Sequence, residues 1–385
     1  MSLLLRAPRI VTGHADLLDA WLLVDDAGTV VDTGTVVDAG TGSRTGQAPA
    51  ADAVRHVDGT LVPGLVDLHC HGAVGHDFAS AASEDVLRAA EHHRAAGTTA
   101  LVASVATGTL PDTLAALHRL RPVVEDGVLA GIHLEGPWLS PARRGAHRPD
   151  LLHAPTPAEV RACTDAAGDA LRIVTIAPEL PGALDTVARL VAAGVVVAVG
   201  HTDASARQTR RAVEAGATLV THLWNGMAPL HHREPGPIGV ALTDDRLLLE
   251  CIVDGHHLDD TVLALVQRAA PGRMVLVSDA MAATGCPDGD HEVAGSAVRV
   301  VGGVARTADG SSLAGSTITV ADAARRLLAT GTPLTEVVAA TACRPSRLLG
   351  RPVPLTPGSP ADVVAVDDDG TWRPLDPGAD RVAAP

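Results

Sequence analysis

The stretch GLVDLHCHG, residues Gly64–Gly72, begins as an apolar run and ends on two histidines one residue apart. A short apolar run bounded by glycines predicts a buried strand. Residues i and i+2 of a strand point to the same face, so His69 and His71 are expected to lie side by side. Two interpretations follow: polar residues hydrogen-bonded at a strand exit, or a pair that holds a metal ion.

Seven further apolar, β-branched runs follow this one and predict the fold. The eight runs are LVPGLVDL (61–68), TTALVAS (98–104), LAGIHLE (129–135), LRIVTIAPE (171–179), VVVAVGH (195–201), TLVTHLW (218–224), LLLECIVD (247–254) and MVLVSDA (274–280). Stretches rich in Ala, Leu and Arg separate them, a pattern typical of parallel strands covered by helices. Eight such units predict an α/β fold of the (β/α)8 TIM-like type. An open doubly wound sheet usually shows a Gly-rich phosphate turn after its first strand, and GLVDLHCHG is not one.

Both ends of the chain differ from this middle part. The N-terminal stretch AWLLVDDAGTVVDTG (20–34) alternates apolar residues with turn formers, which predicts hairpins. Near the other end, PGSPADVVAVDDDG (357–370) contains one strand between turn formers. We expect residues 1–60 and 346–385 to form one small β-sandwich-like domain, with the barrel spanning residues 61–345.

Composition excludes several classes of partner. The net charge is −15, and all 30 basic residues are Arg, so no basic face for nucleic acid is expected. No segment approaches about 20 consecutive apolar residues, which argues against a membrane span. The five cysteines contain no CxxC pair, which fits a reducing compartment. These features predict a cytoplasmic protein.

Polar side chains with metal-binding chemistry stand at the ends of five of the eight predicted strands. They are His69 and His71 on the first strand, Glu135 on the third, His201 on the fifth, His222 on the sixth and Asp279 on the eighth. Each has an ordinary structural alternative: a hydrogen-bonded histidine, a turn residue for Glu135, or a helix N-cap for Asp279. In a (β/α)8 barrel, however, the carboxyl ends of all strands meet at one mouth. We therefore expect one metal site there.

Imidazole and carboxylate ligands together suit Zn²⁺ or another first-row divalent ion. Such an ion lowers the pKa of a bound water towards about 7 and so provides a nucleophile at neutral pH. A nearby carboxylate can accept the proton of the water and return it to a leaving amine, and Asp279 is placed for that role. The strand ends thus predict metal-assisted hydrolysis.

Two other histidines are expected at the surface. His92 and His93 lie in the stretch SEDVLRAAEHHRAAG (83–97), which predicts a helix, and both are expected to face solvent.

At the level of motifs, the chain resembles the amidohydrolase superfamily and, within it, the N-acetylglucosamine-6-phosphate deacetylases. The resemblance covers nearly the whole chain, from VPGLVDLHCHG to LTPGSPADVV. It is carried by the ordered motifs HLEGPWLSPARRGAH, GHTDA, THLWNGM, HHREPG, VDGHH, VSDAM and LAGST. In WNGM, Gly226 stands where the family usually has Ala.

The resemblance implies roles for individual residues. Glu135, His201 and His222 would be the principal metal ligands, and Asp279 the general base and acid. His69 and His71 would form a second metal position shared with Glu135 and Asp279, so that one or two ions are expected. Zn²⁺ is the expected metal, with Fe²⁺, Co²⁺ and Mn²⁺ as alternatives.

The same resemblance implies a substrate site. His147 would polarise the acetamide carbonyl, and Arg233 and His257 would bind the sugar phosphate. The substrate-contacting positions would be Ala146, Asn225, Gly226, Arg233, His257, Leu313, Ala314 and Gly315.

The implied reaction is hydrolysis of N-acetylglucosamine 6-phosphate to glucosamine 6-phosphate and acetate, in amino-sugar catabolism, by a homodimer. The alternatives are the same reaction on the galactosamine epimer, another amidohydrolase acting on a small amide, or a metal-binding barrel without catalysis. Many other amidohydrolases bridge two metals with a carboxylated Lys, and this chain contains no Lys. An intact Asp279 argues against the non-catalytic alternative.

Overall fold

The computed structural model describes residues 2–35, 48–293, 295–367 and 370–375. The strands in these ranges are β1 (Leu3–Val11), β2 (Asp16–Val24), β3 (Val30–Thr35), β4 (Ala53–His56), β5 (Thr60–Pro63), β6 (Leu65–Cys70), β7 (Gly72–Ala73), β8 (His76–Asp77), β9 (Thr98–Ala106), β10 (Gly131–Glu135), β11 (Leu171–Ile176), β12 (Val196–Val199), β13 (Leu219–Val220), β14 (Leu248–Cys251), β15 (Met274–Leu276), β16 (Gly289–Val293), β17 (Ser296–Val301), β18 (Val304–Thr307), β19 (Val363–Val366) and β20 (Trp372–Leu375). The α-helices are α1 (Ser83–Ala95), α2 (Leu110–Glu125), α3 (Pro157–Ala167), α4 (Ala183–Ala192), α5 (Ala206–Glu214), α6 (Gly236–Thr243), α7 (Asp260–Ala269), α8 (Val320–Ala329), α9 (Leu334–Val338) and α10 (Arg344–Leu348).

Eight parallel strands form the barrel sheet, in the order β6, β9, β10, β11, β12, β13, β14, β15. Each of the eight predicted apolar runs contains one of these strands or most of it. A helix follows each strand in the chain, α1 to α8 in order. The predicted (β/α)8 architecture is therefore confirmed.

The first and last strands of this order are joined by the segment that follows β15. Cys70 and Ala280 form a parallel bridge, and the N–H of Asp279 donates to the carbonyl of His69 at 2.8 Å. The fully buried carboxylate of Asp67 accepts from the Ser278 hydroxyl at 2.5 Å and from the N–H groups of Ser278 and His69 at 3.2 Å. The Asp67 side chain thus accepts three hydrogen bonds at the closure between the first and last strands of the barrel.

Strands from both ends of the chain form a second sheet. Its order is β20, β19, β5, β1, β2, β3, with β4 paired to β1. The N-terminal strands form antiparallel hairpins, and β19 pairs antiparallel with β5, placing Val364 opposite Val62. The sequence predicted such a small β-rich part, built from both ends of the chain.

By internal contacts, the chain divides into two compact units. One consists of Met1–Val66, Arg94–Thr99 and Ala324–Pro385, and the other of Asp67–His93 and Ala100–Ala323. The domain boundaries expected after residues 60 and 345 stay a prediction. In the ranges the structure covers, no helix is long and apolar enough to cross a membrane.

The antiparallel sheet β16–β17–β18 was not predicted. Its strand β17 buries alternate residues, Val298 and Val300, so the period of two is present. The neighbouring strand β16 (GDHEV) is mostly polar and begins with glycine, which made the segment resemble a loop.

The prediction for His93 was wrong. The helix itself is present, but its buried residues Val86, Ala89, Ala90 and His93 follow the i, i+3, i+4, i+7 spacing of one helix face. His93 is fully buried, and its Nε2 lies 3.2 Å from both Sγ of Cys70 and the carbonyl oxygen of Gly72. Helix phase therefore outweighed the polarity of the side chain.

We predict that Asp67→Ala destabilises the protein strongly, because three buried donors lose their acceptor. The expected loss in the free energy of unfolding is about 3 kcal/mol or more. Urea denaturation of both proteins with a chelator present measures it. The matched control is Asp58→Ala, at an exposed side chain, whose effect should stay within about 0.5 kcal/mol. Equal stabilities of the two variants would contradict the role of Asp67.

Candidate active site

The backbone places the candidate ligands at the carboxyl ends of the barrel strands. Glu135 is the last residue of β10, while His201, His222 and Asp279 lie just beyond β12, β13 and β15. These last three have positive φ angles of 44°, 25° and 49°. Residues other than glycine rarely adopt this left-handed conformation, and such strain is common at functional sites. Here it affects three of the residues predicted to carry the chemistry.

A first group of three side chains meets around one carboxylate oxygen. Oε1 of Glu135 lies 3.2 Å from Nε2 of His201 and 3.1 Å from Nε2 of His222, and the two nitrogens are 3.1 Å apart. All three residues are buried. We call this set the first metal position.

The hydrogen bonds around His201 show why these atoms suit a cation. Nδ1 of His201 donates to the carbonyl of Arg143 at 2.8 Å, so in a neutral ring Nε2 carries a lone pair directed at Glu135. A lone pair and a carboxylate oxygen repel unless a positive charge lies between them. Ligand atoms of tetrahedral Zn²⁺ with bonds of 2.0–2.1 Å are about 3.3 Å apart, close to the separations here.

A second group lies on the other side of Glu135. Nε2 of His69 and Nε2 of His71 are 3.1 Å apart, and they lie 3.4 and 3.3 Å from Oδ1 of Asp279. Oε2 of Glu135 is 3.2 Å from Nε2 of His71. We call His69, His71 and Asp279 the second metal position. The two oxygens of Glu135 therefore face different positions.

Burial and charge act on these groups in opposite directions. Burial lowers the pKa of His71, but the carboxylates of Asp279 and Glu135 outweigh it and raise that pKa to about 9. Burial raises the pKa of Asp279 and of Glu135, but the nearby imidazoles, that of His69 first, outweigh it and hold both values below their usual range. Without a metal, protons therefore supply the positive charge that the carboxylates require.

A cavity of about 300 Å³ opens above these groups. The predicted site residues that line it are His71, Glu135, Ala146, His147, His201, His222, Asn225, Gly226, His257, Asp279, Leu313 and Gly315. His69 and Ala314 are fully buried and do not line it.

Arg233 does not line the cavity either. It is exposed, and its guanidinium lies 2.8 Å from Nε2 of His232. His257, the other residue expected to bind phosphate, does line the cavity.

Two histidines in the cavity wall have defined environments. Nδ1 of His257 lies 2.7 Å from the Asp254 carboxylate; burial opposes ionisation of Asp254, but His257 outweighs it and lowers that pKa to about 2. Burial lowers the pKa of His147, whose Nε2 is 3.5 Å from Oε2 of Glu135. His147 is therefore a neutral imidazole beside Glu135, one of the candidate metal ligands.

Two glycines allow the chain to pack closely on His201. A Cβ on Gly226, whose φ is +60°, would lie 2.7 Å from Nδ1 of His201 and 3.2 Å from the carbonyl oxygen of Arg143. A Cβ on Gly145 would lie 3.1 Å from the same ring. Glycine at position 226 thus leaves room for the imidazole and its carbonyl partner.

Sequence reasoning missed two buried polar residues beneath the site. Glu250 in β14 is fully buried, with Oε2 3.2 Å from Nδ1 of His69. His133 in β10 packs edge-on against His69, with ring centroids 4.6 Å apart. A charged or imidazole side chain inside an otherwise apolar strand is unusual, and that signal was available in LLLECIVD and LAGIHLE.

The fold agrees with the comparisons with known proteins. The profile of the Amidohydrolase family matches residues 60–382, and the chain belongs to that metal-dependent family. It is 39% identical over 315 residues to the N-acetylgalactosamine-6-phosphate deacetylase of Escherichia coli O157:H7, covering 80% of this chain and 83% of that protein. It is 31% identical over 380 residues to the N-acetylglucosamine-6-phosphate deacetylase of Bacillus subtilis strain 168, covering 96% and 94%.

Comparison with solved structures shows the same fold. A variant of N-acetyl-D-glucosamine-6-phosphate deacetylase from Mycobacterium smegmatis, in complex with N-acetyl-D-glucosamine-6-phosphate, superposes with a TM-score of 0.90 at 41% identity, covering 96% of each chain. The N-acetylglucosamine-6-phosphate deacetylase of Thermotoga maritima gives a TM-score of 0.85 at 27% identity, covering 97% of this chain and 98% of that one.

We predict that loading the metal-free protein with Zn²⁺ at pH 7.5 releases at least one proton per chain. The reason is that His71, with a pKa raised to about 9, is protonated at this pH and must lose its proton to bind a metal. A pH indicator dye in weakly buffered solution measures the release. Zn²⁺ added as its EDTA complex is the control, and metal binding without proton release would contradict the prediction.

Proposed function

We propose that this protein is a metal-dependent deacetylase that hydrolyses N-acetylglucosamine 6-phosphate to glucosamine 6-phosphate and acetate, a reaction of amino-sugar metabolism. The observation that carries the proposal is the arrangement of Glu135 between two groups of ligand atoms at the floor of a cavity of about 300 Å³. The deacetylase relatives support the same reaction.

The metal would be held at two positions. Glu135, His201 and His222 would hold the first ion, and His69, His71 and Asp279, with the second oxygen of Glu135, the other. Nitrogen and carboxylate donors in this geometry favour Zn²⁺ over Mg²⁺ or Ca²⁺. When bound, the metal supplies Lewis-acid polarisation and lowers the pKa of a bound water.

The chain's own residues would move the proton and orient the amide. Asp279 is ionised, lines the cavity and can accept a proton at Oδ1 and later pass it to the departing amine. His147, kept neutral by burial, can donate one hydrogen bond to the acetamide oxygen.

Sugar-phosphate recognition would fall to the cavity wall. His257 is held through Nδ1 by Asp254, which leaves Nε2 for a phosphate oxygen. Asn225, Gly226 and the Leu313–Gly315 backbone would contact the sugar. Since Arg233 is exposed and outside this cavity, its phosphate role would require a second copy of the chain, and we propose a homodimer on this ground.

The galactosamine epimer is a second candidate substrate. It is favoured by the 39% identity to the N-acetylgalactosamine-6-phosphate deacetylase of E. coli O157:H7. The mechanism would be unchanged, because the two sugars differ at a hydroxyl group away from the acetamide.

For location, we propose a reducing compartment such as the cytoplasm. The five cysteines of the chain are free in the structure, and four of them are buried.

We predict rapid acetate release from N-acetylglucosamine 6-phosphate by the Zn²⁺-loaded protein. The rate should fall strongly with N-acetylglucosamine, because phosphate binding orients the acetamide, and EDTA should abolish it. Coupled acetate detection measures both, with the galactosamine epimer assayed in parallel. Faster turnover of the epimer would select the second candidate, and no release from either phosphate would refute the proposed reaction.

We predict that Asp279→Asn lowers kcat by about 10²- to 10⁴-fold, because an amide cannot carry the proton. The variant should keep its circular dichroism spectrum and at least one metal ion per chain. Asp245→Asn, at a fully solvated side chain, is the control and should retain full activity. An Asp279→Asn enzyme with normal kcat would remove Asp279 from the mechanism.

A further inference from the structure

We infer that Glu250 is a positioning residue that orients the ligands of both metal positions and sets how tightly the second ion binds. The inference rests on the proposed metal-dependent function. It concerns a residue that lies beneath the site, does not line the cavity and takes no part in the proposed proton transfers.

The first contact orients the ring of His69. Oε2 of Glu250 lies 3.2 Å from Nδ1 of His69, and both side chains are fully buried. A carboxylate only accepts, so Nδ1 is the donor. In the metal-binding, neutral form of the ring, Nε2 then presents its lone pair to His71 and Asp279. A buried carboxylate behind a ligating imidazole also makes that imidazole a stronger donor to the metal.

The second contact reaches the first metal position. The same oxygen accepts the backbone N–H of His222 at 3.2 Å, and the backbone carbonyl of Glu250 accepts from the N–H of Leu223 at 2.8 Å. His222 is the residue with φ of 25°, so this loop is held in an uncommon conformation. A single carboxylate oxygen therefore touches one ligand from each metal position.

The burial of Glu250 also indicates a nearby positive charge. Its other oxygen, Oε1, has no hydrogen-bond partner among the residues that the structure describes. A buried carboxylate with an unsatisfied oxygen is destabilising unless a cation compensates it. A metal-bound His69 provides that compensation.

The other polar neighbour of His69 does not perform this role. The ring of His133 packs at 88° to the ring of His69 without a hydrogen bond to it. Its own nitrogens lie 2.9 Å from the Ser104 hydroxyl and 2.7 Å from the Thr175 hydroxyl. Among the described side chains, Glu250 supplies the hydrogen-bond partner of Nδ1 of His69.

The test compares Glu250→Leu and Glu250→Gln with the wild-type protein. Leu removes both the acceptor and the charge, while Gln keeps an oxygen acceptor and loses the charge. Glu159→Gln is the matched control: it also removes one carboxylate, but its contacts are with His153 and Thr156, away from the metal ligands. Circular dichroism checks the fold of every variant.

Metal binding is measured on metal-free protein by Co²⁺ absorption titration and by elemental analysis after gel filtration. We expect two ions per chain in the wild type and in Glu159→Gln. In Glu250→Leu the affinity for the second ion should fall by about 10- to 100-fold, with a smaller loss in Glu250→Gln. The first ion should remain bound in all variants.

The outcomes distinguish a failure of this inference from a failure of the proposed function. The inference is overturned if Glu250→Leu and Glu250→Gln bind the second ion as tightly as the wild type does. It is also overturned if the wild type binds only one ion. Neither result contradicts the proposed deacetylase reaction. If Glu250→Leu does not fold, Glu250→Gln decides alone. A wild-type protein that binds no metal would refute the proposed function itself.

Discussion

The carboxylate of Glu135 contacts both groups of candidate metal ligands, one through each of its oxygens. Its oxygens lie between two sets of ring nitrogens, with His201 and His222 against Oε1 and His71 against Oε2. Buried acceptors and lone pairs at such distances require positive charge between them. Protons can provide it, as the raised pKa of His71 shows, but a divalent ion matches the geometry without protonating the ligands.

The surrounding fold holds this arrangement against local strain. His201, His222 and Asp279 have left-handed backbones that their residue types seldom adopt. The Arg143 carbonyl anchors the ring of His201, and Glu250 anchors the backbone of His222. The free energy of these contacts offsets the cost of the strained conformations, and the contacts keep Nε2 of His201 and Nε2 of His222 directed at Oε1 of Glu135.

The cavity explains why a deacetylase reaction fits this chain. Ligand atoms, an ionised Asp279 and a neutral His147 stand together at its floor, while His257 stands in its wall. An acetamide placed over the metal positions would then be oriented by a phosphate bound at a distance. This use of remote binding energy is how enzymes accelerate reactions of small, flexible substrates.

The sequence predicts the barrel, because eight apolar β-branched runs separated by helical stretches allow few other arrangements. It also determined that His69 and His71 share a face and that Glu135 and Asp279 stand at strand ends, since these are consequences of local period. The side-chain contacts between distant parts of the chain could be read only from the three-dimensional structure. Glu250 contacts His69 across 181 positions of sequence, and His257 lines the cavity while Arg233 does not. Such contacts arise from closing a barrel, which brings distant strands together and leaves no trace in the periodicity of either strand.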